Sequence, residues 1–167
     1  DKLGTATETL SYEEMLEKVE GQGAVLAGFS GRDSCGIKLQ CLGEQSQDLI
    51  PLWADSLLSP RFLDELLENS KMEIADDIQM EQDSPANIAM RKFQQTIYGD
   101  HPYRNPVYGS EEIVNSWTPE TLQKAYVSWR DQSHWVVRGV GRLPFDELLS
   151  QLVVVLKPLN RNLPRKA

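Results

Sequence analysis

Residues 70–109 read SKMEIADDIQMEQDSPANIAMRKFQQTIYGDHPYRNPVYG. This stretch divides into two amphipathic helices, a tight break between them, and a loop rich in proline, glycine and aromatic residues. The break is Asp83-Ser84-Pro85. Ser84 is a good N-cap, and Pro85 stands at the first helical position, where a missing N–H removes no hydrogen bond. Ile88, Ala89, Phe93 and Ile97 then recur at helical spacing and predict a buried stripe, with Gln94 and Gln95 on the outer side. Tyr98-Gly99 ends this helix, because glycine takes a positive-φ C-cap freely. The loop His101-Pro102-Tyr103-Arg104-Asn105-Pro106 contains two prolines and cannot be regular helix.

Working toward the N-terminus, a long helix from Arg61 carries Leu63, Leu66, Leu67, Ile74 and Ile78 inward. Its other face holds Asp64, Glu65, Glu68, Glu73, Asp76, Asp77 and Glu81, which reads first as a solvated helix face. Ser59-Pro60 punctuates the chain before it. A helix from about Gln45 places Leu49, Ile50, Trp53 and Leu57 on one side; Pro51 suits it only near the first turn and strains it otherwise. Residues 24–29 and 35–42 read as two strands around a hairpin turn at Ser30-Gly31-Arg32-Asp33. Ile37, Leu39 and Cys41 alternate with Lys38 and Gln40, so one face of the second strand is wet. Earlier still, Ser11 and Glu14 form a capping box with a Leu10–Met15 staple. Met15, Leu16 and Val19 supply that helix's buried stripe, and Gly21 and Gly23 end it.

Toward the C-terminus, Ser110 caps a short helix with Glu111 and Glu112 in its first turn, where acids suit the helix dipole. Thr118-Pro119 starts another, with Leu122, Ala125, Tyr126 and Trp129 inward. Trp117, Trp129 and Trp135 read as core. Residues 135–140 predict a buried strand ended by Gly141, and Pro144 opens a last helix that packs through Leu148, Leu149, Leu152 and Leu156. Residues 160–167 are polar, basic and broken by proline, like a linker or tail. Three or four strands against about six helices, with the first pair a hairpin, give an α+β fold.

The 167 residues suit one domain with a real core, and 40% hydrophobic with 25% charged residues fits a globular chain. The net charge of −8 argues against nucleic acid or an anionic membrane as partner. The longest apolar run, 152–156, is far too short to span a bilayer. The chain opens on Asp1-Lys2 without Met and reads as a processed or excised segment. Cys35 and Cys41, on one strand, would lie ~20 Å apart, well beyond the ~7 Å reach of a disulfide, so two free and mostly buried thiols are expected. The chain has two histidines, His101 and His134; neither is followed three or four residues on by a carboxylate or a second histidine. His101 reads as a loop residue that packs or bonds locally. Tyr103 and Tyr108 read as loop packing or, more sharply, as the lining of a peptide-binding surface. No Gly-rich phosphate loop, nucleophile elbow or thiol–histidine pair is present.

The pattern from Asp83-Ser84-Pro85 through Tyr98-Gly99, His101-Pro102-Tyr103, Pro106 and Gly109 resembles a signature of the insulinase/pitrilysin family of zinc peptidases. The resemblance runs from Gly4-Thr5, through Leu10 to Glu14, Gly21 to Ala24, and Leu57-Leu58-Ser59-Pro60-Arg61-Phe62. It continues in Trp117-Thr118-Pro119-Glu120-Thr121-Leu122, Tyr126 and the approach to Gly141, so that it spans roughly residues 3–157. It implies a mixed or antiparallel sheet covered on one face by helices. The family's active constellation is a helix bearing His-x-x-Glu-His, whose histidines bind zinc and whose glutamate activates water, completed by a later glutamate. That motif is absent here, and the later glutamate's position falls on Asp77, one methylene shorter.

The resemblance therefore implies a degenerate, non-catalytic repeat with no catalytic, cofactor-binding or metal-binding residue of its own. Zinc is expected in a sister catalytic domain, against which this one closes to form a chamber and an interdomain interface. The acidic face from Asp64 to Glu81 would be part of the chamber wall or a contact for a basic substrate. Residues 1–157 would be one repeat, incomplete at its N-terminus, and 158–167 a linker or tail. An unpaired sheet edge in such a repeat predicts self-association, since open edges recruit partners. Two alternatives stand beside this. One is the remainder of a catalytic domain whose zinc helix lies upstream, because the family's motif precedes its counterpart of Gly4-Thr5. The other is an independent peptide-binding module.

Overall fold

The computed structural model describes residues 6–159; the expectations at Gly4-Thr5 and at 160–167 lie outside the described residues. Within them the chain order is α1 (Tyr12–Glu20), β1 (Val25–Ser30), β2 (Cys35–Gln40), α2 (Ser46–Leu58), α3 (Asp64–Asp83), α4 (Pro85–Tyr98), α5 (Glu111–Asn115), α6 (Pro119–Gln132) and α7 (Phe145–Val155). Short 3₁₀ turns occupy Gly43–Gln45, Pro102–Arg104 and Lys157–Leu159. The fold is α+β: mostly helical, with one antiparallel hairpin.

α1 starts where its capping box predicts. Ser11 Oγ accepts the Glu14 N–H at 3.2 Å, and Glu14 Oε2 accepts the Ser11 N–H at 2.8 Å. Met15 and Val19 from this helix, with Ala24 and Leu49, form the buried core. Leu10, Leu26, Leu39, Cys41 and Leu52 pack around them. Burying a side chain such as Met15 or Leu49 contributes roughly 1.5–3 kcal/mol relative to leaving it in water. The hairpin runs in register from Val25 opposite Gln40 to Ser30 opposite Cys35. Gly36 sits opposite Phe29, and a Cβ there would lie 2.9 Å from the Phe29 ring, so the ring covers the position a side chain would fill. Both cysteines are free, and each is half-buried rather than mostly buried. Burial pushes both thiols above their ordinary pKa.

α2 buries Leu49, Ile50, Ala54 and Leu57. Trp53 is half-buried, and its indole N–H donates to the Ile37 carbonyl at 2.9 Å, which ties α2 to β2. Pro51 lies inside α2, beyond the first turn, because the helix already begins at Ser46. Its ring therefore removes a helical hydrogen bond instead of capping one. The last carbonyls of α2 are satisfied from α6: the Tyr126 hydroxyl donates to Leu57 O at 2.5 Å and Arg130 Nη1 to Leu58 O at 2.6 Å. α3 begins at Asp64, not Arg61, because 59–61 run extended against the N-terminal segment. Thr7 bridges Pro60, the Glu8 N–H donates to Ser59 O at 3.2 Å, and the Arg61 N–H donates to Ala6 O at 2.8 Å. Leu67 and Ile78 of α3 are buried, as is Val114 of α5, against which α3 packs. Phe62, Tyr126, Trp129 and Trp135 form a chain of ring contacts with centroids 5.9, 5.6 and 5.3 Å apart. The three tryptophans expected in the core, Trp117, Trp129 and Trp135, are half-buried.

Two expectations fail for one physical reason, and a third holds only in part. Residues 135–140 form no strand, and the sheet has two strands rather than three or four among the described residues. A strand exists only by its ladder, and no described strand lies beside this segment. In α4 the expected inward stripe faces solvent: Ile88 is 47%, Phe93 57% and Ile97 53% exposed. Arg91, Gln94 and Gln95 are the half-buried side instead. In α7, Leu148, Leu152 and Leu156 are half-buried while Leu149, Phe145 and Val153 are exposed. The helical periods are as read; the layer that would cover these faces is not among the described residues. Among those residues no helix is long and apolar enough to cross a membrane.

Candidate functional site

The loop after α4 is built from its own residues outward. Gly99 ends the helix at φ 53° and ψ −117°, a conformation that side chains disfavour. His101 then caps the Pro102–Arg104 turn, its Nδ1 accepting the Tyr103 N–H at 3.2 Å. The rings of Tyr98, His101 and Tyr103 pack on one another, with Tyr103 edge-on to both neighbours at 5.5 and 4.6 Å. His101 thus packs and bonds locally, as its sequence position suggests. The Arg104–Asp100 pair at 3.5 Å is exposed and adds little.

The hairpin turn between β1 and β2 fastens this loop. Arg32 Nη1 donates to the carbonyls of Tyr103 at 3.2 Å and Asn105 at 3.1 Å, and its guanidinium lies 5.7 Å from the Tyr103 ring centroid. The Tyr103 hydroxyl donates to Asp33 Oδ1. Holding that proton against a carboxylate raises the Tyr103 phenol above its ordinary pKa, with smaller contributions from burial and from the Asp33 charge itself. Arg32 and Asp33 are the residues that sequence reading missed. They read there only as turn residues, and their partners lie about seventy positions away.

Asp77, where the resemblance places the family's later metal-binding glutamate, is half-buried on α3 and makes no hydrogen bond or ion pair with a described residue. His134 is exposed just beyond α6. Among the described residues no three His, Cys, Asp or Glu side chains gather closely enough to hold a metal ion. On the acidic face of α3, Asp64, Glu65, Glu73 and Asp76 are exposed, and Glu68 pairs with Lys71 at 2.7 Å, so this face is solvated surface. A cleft of about 290 Å³ lies between Asp55, Leu58, Arg130, Asp131, Trp135 and Leu159. Arg130 is already committed there to Leu58 O and, at 3.1 Å, to Asp131 Oδ1. The cleft is a joint between α2 and α6. What these residues present outward is shape: a fastened loop, an acidic helix face and an uncovered apolar side.

Comparison with known proteins places these features. The family model described as insulinase (peptidase family M16) matches residues 3–111. An uncharacterized zinc protease of Mycobacterium tuberculosis is 25% identical over 148 residues, 89% of this chain and 34% of that protein. The uncharacterized zinc protease YmxG of Bacillus subtilis is 24% identical over 137 residues, 82% of this chain and 34% of that protein. The chain thus spans about a third of the length of the curated relatives it matches. Among solved structures, a peptidase M16 inactive domain from Pseudomonas fluorescens superposes with a TM-score of 0.66 at 20% identity, covering 74% of this chain and 32% of that one.

Proposed function

The chain belongs to the insulinase family, peptidase family M16, and from that premise we propose that it is a non-catalytic domain of a zinc peptidase. It closes against a catalytic sister domain and contributes chamber wall and interdomain interface. In this reading residues 1–157 are the domain and 158–167 lead away from it. The observation that carries the reading is Asp77, a shorter carboxylate where the family resemblance expects a metal-binding glutamate. An aspartate on the same helix turn holds its oxygens about one C–C bond further from the metal position, and zinc tolerates little departure from ~2.0–2.2 Å. The relatives' description as zinc proteases and the fold shared with a structure described as an inactive M16 domain fit such a role. Zinc belongs to the partner domain, peptide contacts to the acidic α3 face, and self-association to the uncovered apolar side.

Zinc content and peptidase turnover of the parent polypeptide, with Asp77 intact and with Asp77→Ala, test this. Both quantities should be unchanged by the substitution. Loss of one equivalent of zinc together with turnover would make Asp77 a metal ligand and this chain part of a catalytic domain.

A further inference from the structure

The turn that follows α4 begins on a side chain whose hydrogen bonding changes with a single proton. His101 is the N-cap of the Pro102–Arg104 turn, extended at φ −68° and ψ 142°. Pro102 has no N–H to offer, so the Tyr103 N–H is the turn's first donor, and His101 Nδ1 accepts it at 3.2 Å. An imidazole accepts at one nitrogen only while it is neutral; the imidazolium donates from both. A proton on Nδ1 therefore sets two donors against each other where one bond stood. Histidine is the side chain that makes this change between about pH 5 and 8.

The fastening from the hairpin side is of another kind. Arg32 Nη1 donates to the Tyr103 and Asn105 carbonyls, and a guanidinium keeps its charge and its donors throughout that range. The Tyr103 hydroxyl donates to Asp33 Oδ1. The Tyr103 ring stands between the two sides, 4.6 Å from the His101 ring and 5.7 Å from the Arg32 guanidinium. The groups around His101 carry both signs of charge. Asp100 and Arg104 pair within the loop, Arg32 and Asp33 come from the hairpin turn, and the Tyr98 and Tyr103 phenols complete the set. The chain's other histidine, His134, lies beyond α6.

We propose that His101 is a proton-sensitive latch on this loop. Neutral, it caps the Pro102–Arg104 turn; protonated, it releases the Tyr103 N–H, while the Arg32 clamp keeps the far side of the turn in place. In mild acid the domain then presents a loosened turn and a cation where it otherwise presents a capped turn and a neutral ring. The inference stands on the loop's own geometry and is independent of whether the domain is catalytic.

The test is the protection of the Tyr103 amide, read by hydrogen exchange with NMR detection and referred to the intrinsic rate at each pH. It compares the chain with His101→Asn and His101→Ala at about pH 7.5 and about pH 5, either side of histidine's ordinary range. In the chain, protection should fall about fivefold on acidification, the usual worth of one such hydrogen bond. His101→Asn should show no fall, because its side-chain oxygen caps the turn without titrating. His101→Ala should be low at both pH values. Asp33→Asn should keep the fall, since the hairpin side does not supply it. Protection in the chain that is the same at both pH values would overturn the proposal. So would an equal fall in His101→Asn, or its loss in Asp33→Asn, either of which would assign the proton to a carboxylate. The Asp77 experiment reads zinc and turnover, so the two readings fail separately.

Discussion

Tyr126 buries its phenol between α2 and α6 and spends its proton on the Leu57 carbonyl. Burial lifts its pKa from the ordinary 10.0 to about 12, because the charged form would lose hydration. Below the ordinary value the phenol is neutral in the folded and the unfolded chain, and its contribution to stability is fully present. Between 10.0 and about 12 the unfolded phenol ionises while the folded one keeps its proton, so stability falls across that window. Tyr126→Phe should lower stability at neutral pH by about 1 kcal/mol, the usual value of one such hydrogen bond. It should also flatten the alkaline loss. Denaturant unfolding at about pH 9 and about pH 11, for the chain and the variant, measures both effects. An alkaline slope unchanged in the variant would show that other groups cause it.

Among the elements, α2 carries a defect that its sequence half announces. Pro51 leaves the Gln47 carbonyl without its helical N–H partner and crowds the preceding turn. Its side chain is exposed, so Pro51→Ala changes the helix and little else. The variant should be more stable by about 1–3 kcal/mol, between an ordinary helix hydrogen bond and the full proline penalty. A midpoint that stays put would mean that a bend at Pro51 is needed for α2 to reach both β2 and α7. The same helix illustrates what sequence conveys. Caps are local, so Ser11, Ser84, Ser110 and Thr118 announce their helices, and each side chain accepts the expected N–H. α2 starts at Ser46, within a residue of its expected start, with the Gly43–Gln45 3₁₀ turn winding directly into it, but α3 starts late because 59–61 are held extended by residues far upstream. Such joins depend on distant partners. So does the clamp of Arg32 and Asp33 on the Tyr103 loop, which no spacing rule could signal. The expected strand at 135–140 and the expected burial of the α4 stripe rest on correct periodicities, yet periodicity names an apolar face without naming its cover. The pattern from Asp83-Ser84-Pro85 through His101 to Gly109 pointed to the family; the loop's fastening came only with the fold.

Taken whole, the molecule is finished on the side of α1, the hairpin and α2, where the core lies. α4 and α7 bury no residue, and residues 136–140 are exposed. Exposed apolar side chains in such number are what proteins in water ordinarily cover. At −8 the chain repels its own copies over long distances, so association of the isolated chain should strengthen as salt screens that repulsion. α4 is the element suited to it, since its only charged residues are Arg91 and Lys92 and its stripe through Ile88, Phe93 and Ile97 is about half uncovered. Sedimentation velocity over a concentration series should therefore show a reversible oligomer that grows with added salt. Phe93→Glu should return a monomer without lowering the unfolding midpoint, because the ring contributes little to the chain's own core. Oligomers untouched by Phe93→Glu would place the contact elsewhere, and a monomer at every concentration would mean that the uncovered side tolerates water.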